Sequence, residues 1–213
     1  MAKGTFITIE GSEGGGKTTQ LALLAEAYKK RTGETPVVTR EPGGTPLGEE
    51  IRKLFKDPNN KLCPETELLL LQASRAQLVR DVIRPALDAG RTVICDRYIH
   101  STLFYQGFGR GLDQNIIAAT TLLATDGVVP DLVLVLQLPF EKMLERVKKR
   151  GNLDRMENEA SDFFRRVQAG VDWLAESGSP KVAGIDADQS IDAVQRDIIG
   201  ALEKHKIFGI ITL

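Results

Sequence analysis

A glycine-rich octapeptide near the N-terminus is the first candidate for chemistry. Residues 11–18 read GSEGGGKT and match G-x-x-x-x-G-K-[ST], a pattern that binds the phosphates of a nucleoside triphosphate. Glycines let successive backbone N–H groups turn toward a phosphate, and the helix that follows adds its positive end. Lys17 supplies a charge to the β- and γ-phosphates, and Thr18 supplies a hydroxyl for Mg²⁺. The motif predicts nucleotide binding but leaves the reaction open.

A second pair of charged residues follows the third predicted strand. Asp96 and Arg97 come directly after the apolar run 92–95. Ligands of doubly wound sheets bind at the carboxyl ends of the strands, so both side chains should face the phosphate loop. An aspartate there can hold Mg²⁺ directly or through water, and an arginine can bind a second phosphate with two hydrogen bonds. The alternatives are a strand-ending cap for Asp96 and a surface ion pair for Arg97.

A run of basic residues lies between positions 142 and 155. Arg146 and Arg150 are four residues apart and therefore share one face of a helix. The Gly151-Asn152 break beside them favours a mobile lid, whose arginines close on the charge that phosphoryl transfer spreads over phosphate oxygens. We expect this lid at about residues 146–157. A solvated basic face is the alternative interpretation.

The reaction class follows partly from motifs that are missing. The sequence has no Asn-Lys-x-Asp guanine reader and no DxxG switch after the second predicted strand, which disfavours a GTPase-type switch. A kinase with two phosphate sites fits the charged residues best. A nucleotide-binding regulator with no small-molecule acceptor is the alternative from another class.

Strand and helix patterns alternate along the chain, which predicts a three-layer α/β/α P-loop fold with a five-stranded parallel sheet, a short mobile lid and one domain over residues 1–213. Pro85 is expected to bend the end of the longest helix, and Gly90 to stop it. The predicted strands are 5–10, 36–40, 92–95, 132–138 and 181–186. The predicted helices are 18–31, 47–56, 64–89, 113–125, 141–149, 158–176 and 191–204.

The overall composition excludes several classes of partner. The formal net charge is −1, with 42% hydrophobic and 27% charged residues, so nothing in the balance indicates a nucleic-acid or membrane partner. Cys63 and Cys95 have no CxxC spacing, which argues against a disulfide framework or a thiolate zinc site. We see no secretory signal and no stretch of about 18 apolar residues, and we expect a soluble cytoplasmic protein.

Taken together, these motifs resemble the thymidylate kinase (dTMP kinase) family from about residue 5 to about residue 199. The residues that carry the resemblance are 10–19, 39–45, 73–75, 96–98, 101–102, 105–107, 109–111 and 150–155. Glu13 lies in the phosphate loop with no arginine beside it, while arginines crowd the lid. That distribution resembles the bacterial type of the family, whose catalytic arginines are in the lid.

The resemblance implies transfer of the γ-phosphoryl of ATP to dTMP, giving dTDP and ADP for dTTP biosynthesis, with Mg²⁺ and in a homodimer. It implies Lys17, Arg97 and Arg150 as catalytic residues, and Thr18 and Asp96 as metal ligands. The implied ATP-binding residues are Gly11, Ser12, Glu13, Gly14, Gly15, Gly16, Lys17, Thr18, Thr19, Arg146, Arg155, Asp186 and Ala187.

For dTMP, the resemblance implies a hydrogen bond from the 3′-hydroxyl to Glu13 and contacts of Arg75 and Thr102 with thymine. Arg97 binds the acceptor phosphate in this scheme, helped by either Arg40 or Arg52. The implied dTMP-binding residues are Glu13, Arg40, Pro42, Arg52, Leu71, Arg75, Arg97, Ser101, Thr102, Tyr105 and Gln106. Tyr105 packs under the sugar and disfavours a 2′-hydroxyl, and Gln106 supports the acceptor site.

Leu71 departs from the family pattern, which usually has a phenylalanine stacked on thymine at this position. Leucine can cover the base but cannot stack on it. Aromatic stacking on a base is worth about 1–3 kcal/mol in nucleic-acid systems. Another nucleoside or nucleoside monophosphate kinase therefore remains an alternative, as does a core role for Leu71. The apolar segments 68–78 and 116–123 are candidates for the dimer interface, with core packing as the alternative.

Overall fold

A five-stranded parallel sheet forms the centre of the computed structural model, which describes residues 3–151 and 154–208. The strands lie in the order β2-β3-β1-β4-β5, and every pair of neighbours is parallel, which confirms the predicted sheet. They are β1 (Phe6–Gly11), β2 (Val37–Arg40), β3 (Val93–Asp96), β4 (Leu132–Gln137) and β5 (Val182–Asp186). β2 and β3 lie on one side of β1, and β4 and β5 lie on the other. The ligand crevice is expected where the strand order switches, beyond the carboxyl end of β1.

The central strands are buried because helices cover both faces of the sheet. All six residues of β1 are buried, and so are five of the six in β4. Such strands read as continuous apolar runs rather than alternating patterns. The register places Ile9 of β1 opposite Asp96 of β3. This pairing carries Asp96 and the following residue to the same edge as the phosphate loop.

The helices agree closely with the predicted segments. Polar side chains cap three of them: Thr45 accepts a hydrogen bond from the Gly48 N–H, Asp113 from Asn115 and Ser190 from Ala193. The helices are α1 (Lys17–Thr32), α2 (Pro46–Lys56), α3 (Pro64–Leu78), α4 (Arg84–Asp88), α5 (Ile99–Thr102), α6 (Gln114–Thr125), α7 (Phe140–Arg150), α8 (Ser161–Ala175) and α9 (Ile191–Lys204).

The predicted helix 64–89 is continuous in direction but changes its winding. A π-helical segment, Val79–Ile83, separates α3 from α4. It comes just before Pro85, which has no N–H to give to the carbonyl four residues earlier. The Arg84 N–H instead bonds to the Val79 carbonyl, five residues back. The irregularity therefore extends further toward the N-terminus than the predicted bend at the last turn.

The helix predicted from residue 158 begins later, at Ser161. The Asp154 carboxylate accepts hydrogen bonds from the N–H groups of Met156 and Glu157, at 2.9 and 3.0 Å, and so closes a local turn. The first helical bonds then run to the Ala160 carbonyl.

One helical segment was missing from the sequence prediction. α5 continues into a π-helical stretch, Leu103–Gly109, whose glycines disfavour a helix on intrinsic propensity. Packing against α8 overrides that propensity. A Cβ at Gly109 would lie 2.6 Å from the Phe163 ring, so only glycine allows this close approach. This segment carries several of the predicted acceptor-site residues.

Within the two described ranges, none of the helices has both the length and the apolar character needed to cross a lipid bilayer.

Gly44, in the loop between β2 and α2, provides a stability test beside the cleft. Gly44 and Gly33 have nearly equal φ angles of 76° and 75°, but only at Gly44 would a Cβ overlap neighbours, namely Thr39 Oγ1 and Leu78 Cδ1. We predict that Gly33→Ala lowers the free energy of unfolding by about 1 kcal/mol. Gly44→Ala should lower it by about 2–4 kcal/mol, because crowding adds to the left-handed backbone. Urea unfolding measures both, and equal losses would contradict the crowding.

Candidate active site

A cleft of about 400 Å³ opens at the carboxyl ends of β1 and β3. Its walls come from the phosphate loop, the loop after β2, helices α2 and α3, the α5 segment and residues 154–157. Most of the predicted site residues line it together: Glu13, Gly14, Gly15, Gly16, Lys17, Thr18, Thr19, Pro42, Arg52, Leu71, Arg75, Asp96, Arg97, Ser101, Thr102, Tyr105 and Gln106. The structure therefore brings the predicted nucleotide and acceptor residues into one cavity.

The phosphate loop turns from β1 into α1 and positions Lys17. Gly16 precedes the helix with a left-handed φ of 83°. Lys17 is buried, and its ammonium donates to the Ser12 carbonyl at 2.6 Å. Burial, together with the nearby charge of Arg97, lowers the pKa of Lys17 to about 8. The side chain therefore still carries its charge at neutral pH and is fixed at the loop that would surround a phosphate.

Arg97 lies between the phosphate loop and the side of the cleft that contains the predicted dTMP residues Ser101, Thr102 and Tyr105, called here the acceptor wall. Its Nη2 donates to Glu13 Oε1 at 2.6 Å, and its Nη1 donates to the Gly11 carbonyl at 3.1 Å and to Ser101 Oγ at 3.2 Å. Burial opposes the charge of Arg97, but Glu13 together with Tyr105, Asp96 and Glu10 outweighs it and raises the pKa of the guanidinium. Arg97 is therefore always charged. It does form an ion pair, but with Glu13 inside the cleft and not at the protein surface.

Thr18 and Asp96 fit a Mg²⁺ site. Thr18 Oγ1 lies 3.4 Å from Asp96 Oδ2, and Asp96 Oδ1 is buried without a hydrogen-bond partner in the described chain. Hydroxyl and carboxylate oxygens are ligands that Mg²⁺ accepts, usually together with substrate phosphates and water. Among the described residues there is no cluster of three or more His, Cys, Asp or Glu side chains suited to a metal. Two protein oxygens are too few to hold Mg²⁺ by themselves, so the site suits an ion that binds together with a nucleotide.

Arg75 forms the buried back of the cleft. Only 2% of its side chain is exposed, and it pairs with the equally buried carboxylate of Glu41, the Nε–Oε2 distance being 2.8 Å. Its Nη1 donates to Gln72 Oε1 at 2.8 Å, and its Nη2 donates to Thr102 Oγ1 at 3.0 Å. These bonds fix the plane of the guanidinium. Glu41 lies in the motif 39–45, but nothing in the sequence indicated that it is the countercharge of Arg75.

Aromatic and apolar side chains complete the acceptor wall. The Tyr105 hydroxyl lies 3.3 Å from both Arg97 Nη2 and Glu13 Oε1, and the ring lies beneath the Arg97 guanidinium at 5.1 Å. Leu71 lines the cleft and also packs against the core, so both interpretations of this residue stay open. Sequence reasoning missed Phe55 and Met156, which line the same wall and carried no motif.

The structure separates the two arginines that the sequence offered as helpers of Arg97. Arg52 lines the cleft and donates to the Pro42 carbonyl at 2.9 Å. Burial lowers its pKa, as does the charge of Arg40. Arg40 itself is exposed outside the cleft and pairs with Glu49 at 2.9 Å. The predicted contact of Arg40 with the acceptor stays a prediction, since its exposed side chain is paired with Glu49 and does not line the cleft.

The start of the predicted lid is attached to the nucleotide side. Arg146 of α7 donates to the Gly14 carbonyl at 3.2 Å and to the Ala187 carbonyl at 3.3 Å. Asp186 and Ala187, the predicted border of adenine, do not line the cleft itself, and the Asp186 carboxylate accepts from the Asp188 N–H. The Arg150 side chain and residues 152 and 153 of the predicted lid lie outside the described part of the chain, as do residues 209–213.

Arg155 occupies a different place from the one predicted. The resemblance implies that Arg155 is an ATP ligand, but its Nη1 donates to the buried carboxylate of Glu67 at 2.6 Å and its Nε to the Phe55 carbonyl at 2.8 Å. Glu67 also accepts from Arg110 and from Gln106. Arg155 therefore lies on the acceptor side, because the buried Glu67 requires positive partners. No local pattern marked Glu67 as the centre of this cluster.

The arrangement offers two places for oxyanions within one cavity. The phosphate loop with Lys17 provides the first, and Arg97 with Arg52 provides the second. Buried cations aligned between two phosphates stabilise the charge that develops during phosphoryl transfer. The cleft therefore suits a reaction that moves a phosphoryl group between two bound molecules.

Comparisons with known proteins agree with this chemistry. The family model described as thymidylate kinase matches residues 9–198. Thymidylate kinase of Deinococcus radiodurans is 46% identical over 205 residues, covering 96% of this chain and 99% of the relative. That of Shewanella sp. (strain MR-4) is 47% identical, covering 95% and 97%. A crystal structure of thymidylate kinase from Ehrlichia chaffeensis superposes with a TM-score of 0.77 at 33% identity, covering 94% of this chain and 99% of that one.

The Arg75–Glu41 pair leads to a test of how much a buried ion pair contributes to stability here. Glu41→Gln leaves the buried guanidinium without its countercharge, so we predict a loss of about 3 kcal/mol in the free energy of unfolding. The matched control is Glu50→Gln, which breaks a Glu50–Lys53 pair whose side chains are 67% and 72% exposed and should cost less than about 1 kcal/mol. Denaturant unfolding gives both values. A loss for Glu41→Gln no larger than the control's would contradict the buried-pair argument.

Proposed function

The chain belongs to the thymidylate kinase family, and we propose that it transfers the γ-phosphoryl group of ATP to dTMP, giving dTDP and ADP for dTTP biosynthesis. The observation that carries the proposal is the position of Arg97. Its guanidinium bonds to Gly11 and Glu13 of the phosphate loop and also to Ser101 on the acceptor wall. A cation placed there reaches both partners of a phosphoryl transfer.

The ATP side is assigned to the phosphate loop, residues 11–19. Lys17 and the backbone N–H groups hold the triphosphate, and Arg146, which bonds to Gly14, closes over it. Thr18 and Asp96 would hold Mg²⁺, which would supply positive charge to the bound triphosphate. Arg150 is assigned to the γ-phosphoryl group, as in family members with catalytic lid arginines. These assignments are supported by the shared cleft and the oxygen pair at 3.4 Å.

The acceptor side is assigned to dTMP. Arg97 and Arg52 bind its phosphate, and Glu13 accepts a hydrogen bond from the 3′-hydroxyl. Arg75 and Thr102 face thymine, which agrees with their place in the cleft. The rigid bonding of Arg75 supports selectivity, because a fixed donor rejects a base that offers no acceptor at that point. Pro42, Leu71, Ser101, Tyr105 and Gln106 complete this side.

The transfer needs alignment more than proton chemistry. The acceptor phosphate oxygen is already ionised at neutral pH, so no general base is required. The cleft holds the two nucleotides end to end, which replaces a bimolecular encounter with a bound geometry. Lid closure excludes water, which would otherwise take the phosphoryl group.

An acceptor panel tests the proposed reaction and its alternatives. Release of ADP should be fastest with dTMP among dTMP, dUMP, dGMP, AMP and CMP. Arg75 and Thr102 match the O4 and N3 edge of thymine, and dUMP, which has the same edge and lacks only the 5-methyl group, should be the nearest competitor. Equal rates with all acceptors, or a preference for another one, would favour a different monophosphate kinase, for which Leu71 is the main support. Slow ATP hydrolysis that dTMP does not change would favour the regulator.

Lys17→Ala tests the ATP site within the same assay. We predict a loss of at least about 100-fold in turnover, because the variant removes a buried cation that faces the transferred charge. Lys30→Ala is the control, since Lys30 is exposed on the same helix. Full activity of the Lys17 variant would remove the phosphate loop from the mechanism.

We also propose that the protein is a cytoplasmic homodimer that binds neither nucleic acid nor membranes. Among the described residues the three most exposed large apolar side chains are Leu69 of α3 and Leu122 and Leu123 of α6, at 61%, 65% and 84%. Helices α3 and α6 pack side by side, as Gln72 shows by bonding to Thr121. Exposed apolar side chains grouped on two adjacent helices are typical of a protein–protein interface, and we assign this surface to contact with a second copy of the chain. The cysteines are free thiols, which suits a reducing compartment.

The dimer is tested by sedimentation. Wild-type protein should sediment at twice the mass of the 23.4 kDa chain. Leu123→Glu should shift it to monomer, because a charge would be buried at the interface. Ile191→Glu, at a side chain 56% exposed on α9, is the control and should stay dimeric. A single-chain mass for the wild type would remove the dimer.

A further inference from the structure

Arg97 carries a backbone conformation that needs support. Its φ is 68°, in the left-handed region, which is strained for a residue other than glycine. The conformation turns the chain at the end of β3, so that the guanidinium points back toward Gly11 and Glu13. The Arg97 N–H bonds to the Ile9 carbonyl at 2.9 Å, which anchors the residue on its N-terminal side. Another group must hold the C-terminal side.

Glu10 provides that second anchor from beneath the site. It is a β1 residue with no exposed surface, and it does not line the cleft. Its Oε1 accepts a hydrogen bond from the Tyr98 N–H at 2.8 Å, and its Oε2 accepts from Ser101 Oγ at 2.6 Å. Ser101 Oγ in turn accepts from Arg97 Nη1 at 3.2 Å. One carboxylate therefore fixes both the peptide after Arg97 and the hydroxyl that orients its guanidinium.

The surroundings of Glu10 support a role through hydrogen bonds. His100 Nδ1 lies 3.9 Å from Glu10 Oε1, beyond hydrogen-bond range. Burial and the charge of Arg75 lower the pKa of His100 to about 4, so the imidazole is neutral and does not act as a countercharge. The close partners of the carboxylate are the Tyr98 N–H and the Ser101 hydroxyl, both on the C-terminal side of Arg97.

We propose that Glu10 is a positioning residue for the acceptor phosphate, acting through Arg97 without touching either substrate. The inference rests on the proposed function, since it requires that Arg97 bind the phosphate of dTMP. Glu10 sets the left-handed turn and the direction of the guanidinium, and Arg97 makes the contact.

Charge and position predict opposite results for this residue. Burial outweighs the hydrogen bonds of Glu10 and raises its pKa to about 7. Above that pH the negative carboxylate near Arg97 weakens the attraction for a phosphate, so removal of the charge alone would tighten dTMP binding. If Glu10 instead positions Arg97, its removal releases the guanidinium and weakens the binding. The sign of the change therefore distinguishes the two effects.

Calorimetric titration with dTMP and with thymidine measures the contribution of the phosphate alone. We define the phosphate ratio as the Kd of thymidine divided by the Kd of dTMP. Glu10→Ala should lower this ratio at least about tenfold, with the Kd of thymidine changed less than about twofold. Glu10→Gln, which keeps an acceptor for Tyr98 and serves if the alanine variant does not fold, should lower it by a smaller factor.

Two further variants complete the design. Thr8→Val, which removes a buried β1 hydroxyl that has no hydrogen-bond partner in the described residues, should leave the ratio unchanged. Arg97→Gln should lower the ratio by itself, and Glu10→Ala added to it should have no further effect, because Glu10 acts through Arg97.

Three outcomes would overturn the positioning role. They are an unchanged or higher ratio in both Glu10 variants, equal weakening of dTMP and thymidine, and additive effects of Glu10→Ala and Arg97→Gln. Equal binding of dTMP and thymidine by the wild-type protein would instead overturn the proposed function, and the inference with it. The wild-type ratio thus separates the two failures.

Discussion

Every buried cation in this cleft needs an oxygen to hold it, and that constraint organises the site. Lys17 is bonded to the Ser12 carbonyl, Arg97 to Glu13 and Arg75 to Glu41. A buried charge without a partner costs several kcal/mol, so a cleft that concentrates positive charge for phosphates must also contain acceptors. These acceptors keep the cations at fixed positions. Such preorganisation is what makes electrostatic stabilisation of a transition state effective.

The parallel sheet supplies the rigidity behind these pairs. β1 and β3 are neighbours, so the loop after one and the turn after the other meet although 86 residues separate Gly11 from Arg97. The bonds that hold Arg97 reach back to β1 itself, through Ile9 and Glu10. Sites built on strands are held more precisely than sites built on loops alone.

The two ends of the predicted lid are attached to opposite sides of the cleft. Arg146, at the start of the lid, bonds to the phosphate loop and to Ala187, while Arg155, near its end, bonds to Glu67 and the Phe55 carbonyl. Glu67 also holds Gln106 of the acceptor wall. A segment held in this way contacts the phosphate-loop side of the cleft at one end and the acceptor wall at the other.

The sequence by itself determined the phosphate loop, the parallel sheet and most of the cleft residues, because glycine spacing and apolar runs are local requirements. Only the tertiary structure decided that Arg52 rather than Arg40 enters the cleft, that Arg155 is buried against Glu67, and that the glycine-containing segment Leu103–Gly109 stays helical. Glu10 and Glu41 likewise gained their roles from partners 34 to 91 residues away. Burial and charge pairing depend on which distant segments the fold brings together, and no local pattern in the chain records that.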